Sequence, residues 1–167
     1  MRENEKLMEN FSRLENVIKQ LIKNDLSIAV AESCTGGFVS NMFTNIPGAS
    51  KIFERGIVCY SNEAKISILN VDPKTLDEFG AVSDEVARQL AFNLRILSNV
   101  DISIGTTGIA GPTGGTNEKP IGLVFVSFST EEETSVKQYN FQVNRLEFKE
   151  KVFNEILEWL ENYLDLK

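Results

Sequence analysis

The stretch LSIAVAESCTGG, Leu26–Gly37, decides how the rest of the chain is read. Its first half, Leu26–Ala31, is a short apolar run without polar alternation, the pattern of a strand covered on both faces. Its second half changes character at once: Glu32 and Ser33 are polar, and Gly36 and Gly37 permit a sharp turn and close approach of a ligand or another backbone. Helical spacing resumes in TGGFVSNMFTNI and stops at Pro47-Gly48. A buried strand running through a polar turn into a helix is the elementary unit of an α/β fold, and such folds bind ligands at the carboxyl ends of their strands.

Working outward, Leu7, Phe11, Leu14, Ile18 and Leu21 recur at spacings of four and three, predicting an amphipathic first helix. KIFERGIVCY predicts a second strand ending near Tyr60, after which Asn62 is placed to cap a helix starting at Glu63. A short connecting stretch holds Pro73. Ser83 then caps a helix with Val86, Leu90, Leu94 and Leu97 on one face. DISIGTTGIA reads as a strand entering a glycine-rich loop, and GLVFVSFS and SVKQYNFQV as two final, paired strands. The closing helix carries Val152, Phe153, Ile156, Leu157, Leu160 and Leu164. The expectation is one domain over residues 1–167, a three-layer α/β/α sandwich with a mixed, mostly parallel sheet.

Composition narrows the chemistry. The chain has 167 residues and a net charge of −7, which gives no general attraction to nucleic acid or anionic membranes. Two cysteines, Cys34 and Cys59, make neither a disulfide framework nor a zinc quartet. The charged N-terminus does not read as a signal peptide and no apolar run approaches membrane-spanning length, so a cytoplasmic location is expected. There is no histidine. Histidine triads and histidine-ligated metals are therefore excluded, and proton transfer near neutral pH must use a perturbed carboxylate, lysine, tyrosine or cysteine.

Three stretches could carry such chemistry. In AESCTGG, Ser33 is a candidate nucleophile with oxyanion-binding N–H groups following it, although Ser33 or Thr35 could simply cap the helix. Cys34 is a rival nucleophile, or a packing residue. The loop GIAGPTGGTNEKPIG, Gly108–Gly122, holds five of the eleven glycines and two of the four prolines, more shaped than a linker and longer than a hairpin turn. It matches neither the dinucleotide fingerprint nor the phosphate loop. In GIVCYSNEAK, Gly56–Lys65, a lysine falls in the first turn of a helix, where the positive end of the helix and burial both favour its neutral amine. A solvated Lys65 paired with Glu63 or Glu32 is the alternative.

Taken together, AESCTGG, RGIVCYSNEAK, GAVSDEVA and TGIAGPTGGTNEKPIGLVFVS, in this order and at these spacings, resemble the CinA C-terminal domain family from about Leu7 to the last helix. Characterised members of that family are nicotinamide-nucleotide amidases, and the resemblance is to the stand-alone form without the additional N-terminal domain of larger members. It implies hydrolysis of the carboxamide of nicotinamide mononucleotide to nicotinic acid mononucleotide and ammonia, without metal or cofactor. By the same resemblance Ser33 is the nucleophile, Lys65 the base and Tyr60 a third catalytic residue. Cys34, Thr35, Gly36, Thr106, Thr107 and Gly108 would line the substrate site, and Arg145 would meet the phosphate, its planar fork suiting phosphate oxygens. A homodimer is the family expectation. The chain departs from the pattern around Arg145, where Val143-Asn144 replaces a Gly-Asp pair and Lys149 replaces a second arginine. Hydrolysis of another small amide by the same dyad, or nucleotide binding without turnover, are the competing expectations.

Overall fold

A computed structural model describes the backbone of residues 2–165, with side chains from Glu9 onward. Helix α1 (Arg2–Lys23) buries Leu14, Ile18 and Leu21 as their spacing predicts, and Leu7 lies outside the described side chains. Strand β1 (Ile28–Glu32) is buried at every position. It leads into α2 (Phe38–Thr44), a single 3-10 turn at Ala49–Lys51 and β2 (Phe53–Val58). Helices α3 (Asn62–Leu69), α4 (Pro73–Phe79) and α5 (Asp84–Ser98) follow. Strands β3 (Ile102–Gly108), β4 (Leu123–Ser129) and β5 (Thr134–Asn140) precede the last helix, α6 (Arg145–Asp165).

The five strands form one sheet in the order β2-β1-β3-β4-β5. β1 pairs in parallel with β2 and with β3, while β4 runs antiparallel to both of its neighbours. Four strands therefore point one way and β4 the other, the mixed, mostly parallel sheet that the sequence predicts. One face packs against α1, α2 and α6, and the other against α3, α4 and α5. The chain leaves β1 for β2 on one side and returns to β3 on the other. The carboxyl end of β1 is thus a topological switch point, where open α/β sheets hold their ligands.

Three local expectations are corrected. Ser61, not Asn62, caps α3, its hydroxyl accepting from Ala64 N–H; Ser61 is extended while Asn62 is already helical. Pro73 does not sit in a plain connection but opens α4 at its first position, where a missing N–H costs nothing, behind an Asp72 cap. Leu97 is half exposed, and α5 instead buries Val86, Ala87, Leu90, Ala91 and Leu94. The two alanines let α5 press close to the sheet, where small residues receive it. Ser103 Oγ donates to Ala91 O at 2.5 Å, and Ser127 Oγ donates to Ala87 O at 2.6 Å.

Gly105 lies between them, and a Cβ there would stand 2.4 Å from Ser127 Oγ and 3.0 Å from the Ala91 nitrogen. Helix backbone cannot yield as a side chain can. Gly105→Ala should therefore cost about 1–3 kcal/mol, the range for overpacking. Urea unfolding reads this directly, and an unchanged midpoint would show that α5 is not held this close.

Candidate active site

Alternation along β1 sorts the critical side chains. Val30, together with Cys34, joins the core on the α1, α2 and α6 side, whereas Ala29 and Ala31 join the α3, α4 and α5 side. Ser33 follows the second set and faces α3. There it meets Lys65, which lies four residues beyond the Ser61 cap of that helix.

Lys65 is only 1% exposed. Its Nζ has three neighbours, each at 3.0 Å: Ser33 Oγ, the Cys59 carbonyl and the Tyr60 carbonyl. It forms no ion pair among the described residues, so a solvated lysine paired with Glu63 or Glu32 is not what the fold builds. Burial lowers the Lys65 pKa from its ordinary value, with Cys59 and Cys34 opposing weakly. Two of the three neighbours are carbonyls, which only accept. A neutral amine has two N–H donors and one lone pair, and so satisfies both carbonyls while its lone pair faces the serine hydroxyl. An ammonium satisfies the same three atoms by donating to all of them. The pocket thus accommodates the nitrogen before and after it takes a proton.

Ser33 is 8% exposed, less open than a free hydroxyl at a helix start. Its own N–H is fixed by the Thr106 carbonyl at 3.1 Å. Thr35 does not cap α2; its hydroxyl lies 3.0 Å from that of Thr106, both fully buried. The cap of α2 is Gly37, which has no side chain to offer, and Glu32 satisfies the helix start from five residues upstream. Its carboxylate accepts from Gly37 N–H at 2.9 Å, Val39 N–H at 3.1 Å and Ser40 N–H at 2.8 Å, and from Ser40 Oγ at 2.5 Å. Cys34 is buried, and burial pushes its thiol up to about 12, Thr106 opposing. At neutral pH this sulfur stays protonated and is a poor nucleophile.

A cleft opens above the Ser33–Lys65 pair. Of the residues singled out by sequence, Cys34, Tyr60, Thr107, Gly108 and Arg145 line it together with that pair. Thr35, Gly36 and Thr106 are not among its lining residues. The remaining wall is Ala81, Val82 and Ala110, side chains with no chemistry to draw attention. The signal for the first two is their place in GAVSDEVA, just ahead of the Ser83 cap, and for Ala110 its place in the glycine-rich loop. Thr107 turns its hydroxyl onto the Ala81 carbonyl at 2.6 Å and so props that wall.

Arg145 opens α6, whose cap is the Asn144 side chain, accepting from the N–H groups of Leu146 and Glu147 at 3.0 Å. Asparagine therefore does the capping at this position without a carboxylate. The guanidinium donates to the Gly111 carbonyl at 2.9 Å and to the Tyr60 hydroxyl at 2.8 Å. Tyr60 thus contributes its carbonyl to Lys65 and its phenol to Arg145, and does not bring the phenol to Lys65. One turn along α6, the Lys149 ammonium reaches over Gly36; a Cβ on that glycine would stand 3.5 Å from it.

Comparison with known proteins agrees with this architecture. A protein named competence-damage inducible protein in Thermoanaerobacter sp. (strain X514) is 49% identical over 150 residues. These cover 90% of this chain but 36% of that protein, so the chain spans little more than a third of its relative. A crystal structure of a CinA superfamily protein from Klebsiella pneumoniae superposes with a TM-score of 0.90 at 25% identity, covering 95% of this chain and 99% of that one. A competence/damage inducible protein from Agrobacterium tumefaciens superposes at 0.81 with 34% identity, over 92% and 96% of the two chains. The family model of the CinA C-terminal domain matches residues 11–164, and the chain belongs to that family.

Proposed function

We propose that the domain is a serine–lysine amidohydrolase acting on the carboxamide of nicotinamide mononucleotide. The observation that carries this reading is the buried Lys65 nitrogen held 3.0 Å from Ser33 Oγ in a chain without histidine. Ser33 gives its proton to Lys65 Nζ as Oγ bonds to the carboxamide carbon. The resulting oxyanion is met by backbone N–H groups of the turn after Ser33. Those of Gly37, Val39 and Ser40 are already taken by Glu32 and that of Phe38 by the Thr35 carbonyl, so within this segment the donors fall within Cys34–Gly36. Lys65 returns the proton to the leaving nitrogen, ammonia departs and an ester on Ser33 remains. Water then attacks that ester, Lys65 takes and returns a proton once more, and the carboxylic acid leaves with Ser33 restored.

Support for a flat ring comes from the cleft lining, where Ala81, Val82, Gly108 and Ala110 leave room beside the dyad and Tyr60 and Arg145 complete the wall. Arg145 at the rim, with Lys149 one turn away, supports an anionic group at the far end of the substrate. A second reading, a different small amide, draws on one observation. Two of the five N–H donors of Arg145 are already held by Gly111 and Tyr60, so an incoming phosphate meets a guanidinium with fewer free donors. Measuring ammonia released from nicotinamide mononucleotide, nicotinamide and glutamine separates the two readings. Release from none of them would contradict both.

Three outcomes are expected from purified variants. Ser33→Ala should lose turnover by a factor on the order of 10⁴ or more, while Cys34→Ala keeps most of it. The reverse pattern would move the nucleophile to the cysteine.

Lys65→Arg should be as inactive as Lys65→Ala, because guanidinium cannot be deprotonated. In the native enzyme the base form is the neutral amine, so the rate should rise with pH through one ionisation lying below the ordinary lysine value. A rate that falls with pH over that range, or a working Lys65→Arg, would leave the lysine only a fixed charge.

Arg145→Ala should raise KM for the mononucleotide about tenfold or more with a small change in kcat, the signature of a remote charge-assisted contact. Equal KM values would take the phosphate away from Arg145.

A further inference from the structure

We infer that Glu32 is a positioning residue for the oxyanion-binding turn, an inference that rests on the amidohydrolase reading above. A carboxylate that is 0% exposed at the end of a central strand requires strong partners. It has four, all from the start of α2: Oε2 accepts from Gly37 and Val39, and Oε1 from both donors of Ser40. Because Glu32 is covalently joined to Ser33 and hydrogen-bonded to Gly37, it closes Ser33–Gly36 into a loop whose two ends one residue fixes. That loop is tied to β3 at its first residue, through Ser33 N–H on the Thr106 carbonyl, and again at Thr35, whose hydroxyl lies beside that of Thr106. β2 adds pressure from outside: a Cβ on Gly56 would stand 2.0 Å from Ser40 Oγ, so only glycine lets Ser40 sit against the carboxylate.

Two consequences bear on catalysis. The carboxylate takes the N–H groups of Gly37, Val39 and Ser40, and the Thr35 carbonyl takes that of Phe38, so within this segment the amides of Cys34–Gly36 are the ones left for a developing oxyanion. Its negative charge is turned towards the start of α2 and saturated there, on the face of β1 opposite Lys65, instead of opposing the oxyanion. Glu32 thus selects which amides serve the oxyanion without touching the substrate.

A fluorophosphonate probe tests this without knowledge of the substrate. Ser33 Oγ bonds to phosphorus, fluoride leaves with the P–F electron pair, and the serine proton passes to Lys65; mass spectrometry gives the rate of labelling. Ser33→Ala supplies the blank. In Glu32→Gln, an amide NH₂ faces donors that need an acceptor, so the turn should shift. The plateau labelling rate should fall about 100-fold, as for other displaced catalytic geometry, while its pH midpoint stays that of the wild type. An unchanged plateau would overturn the role of Glu32, and so would a midpoint moved towards ordinary lysine, which would place the effect on Lys65. Should Glu32→Gln fail to fold, Ser40→Ala decides, since it keeps the carboxylate and removes one donor. A loss of about tenfold is expected, and a wild-type rate would overturn the inference. If wild-type Ser33 is not labelled at all, the amidohydrolase reading itself falls and this inference with it.

Discussion

The site depends on a constraint that only a few atoms impose: Lys65 Nζ must be out of water and must still have every hydrogen satisfied. A buried ammonium without partners would cost several kcal/mol and distort the fold around it. Two carbonyls and one hydroxyl meet the requirement in either protonation state, because the hydroxyl alone can reverse its role. The two carbonyls come from Cys59 and Tyr60, where the chain leaves β2 for α3. The Ser61 cap then fixes where α3 begins and hence where Lys65 points. The lysine and both its carbonyl partners thus lie within one short segment, Cys59–Lys65, with Ser33 presented from the neighbouring strand.

Much of this is legible in the sequence, for physical reasons. The unbroken apolar run before Glu32 requires a strand covered on both faces, and the period of the last helix matches the residues it buries. The missing histidine by itself limits the bases available to a handful of residue types. Other features were hidden because they belong to pairs of distant residues. Glu32 reads as a possible partner for Lys65, and only the pleat of β1 shows that it faces the opposite layer. Tyr60 is by resemblance a third catalytic residue, yet its phenol is drawn to Arg145, 85 residues away in sequence. Ala81, Val82 and Ala110 have no reactive side chain; the sequence marks only the stretches that hold them, and the fold makes them wall residues. Leu97 fits a helical stripe but falls just beyond the arc that α5 presses on the sheet.

The rest of the architecture holds this geometry still. Small residues under α5 bring that helix close to β3 and β4, and β3 in turn grips the turn after Ser33 through both the carbonyl and the hydroxyl of Thr106. Arg145 ties the start of α6 to the glycine-rich loop at Gly111 and to Tyr60 at the end of β2. The rim of the cleft is therefore assembled from segments far apart in sequence and joined by one guanidinium. On the proposed function, a substrate anion that engages this arginine would also touch the contacts that shape the rim.

The central claim is that burial lowers the Lys65 pKa, so that its neutral, proton-accepting form is reached more easily than in a free lysine. Its direct test is titration of that residue, with lysine carrying ¹³C at the ε-carbon followed by NMR as pH is raised, and Lys65→Ala identifying the signal. The account predicts a midpoint below the ordinary lysine value of about 10.4, and one that stays below it in Ser33→Ala, because burial and not the hydroxyl lowers it. A Lys65 that titrates at or above the ordinary value would contradict the account.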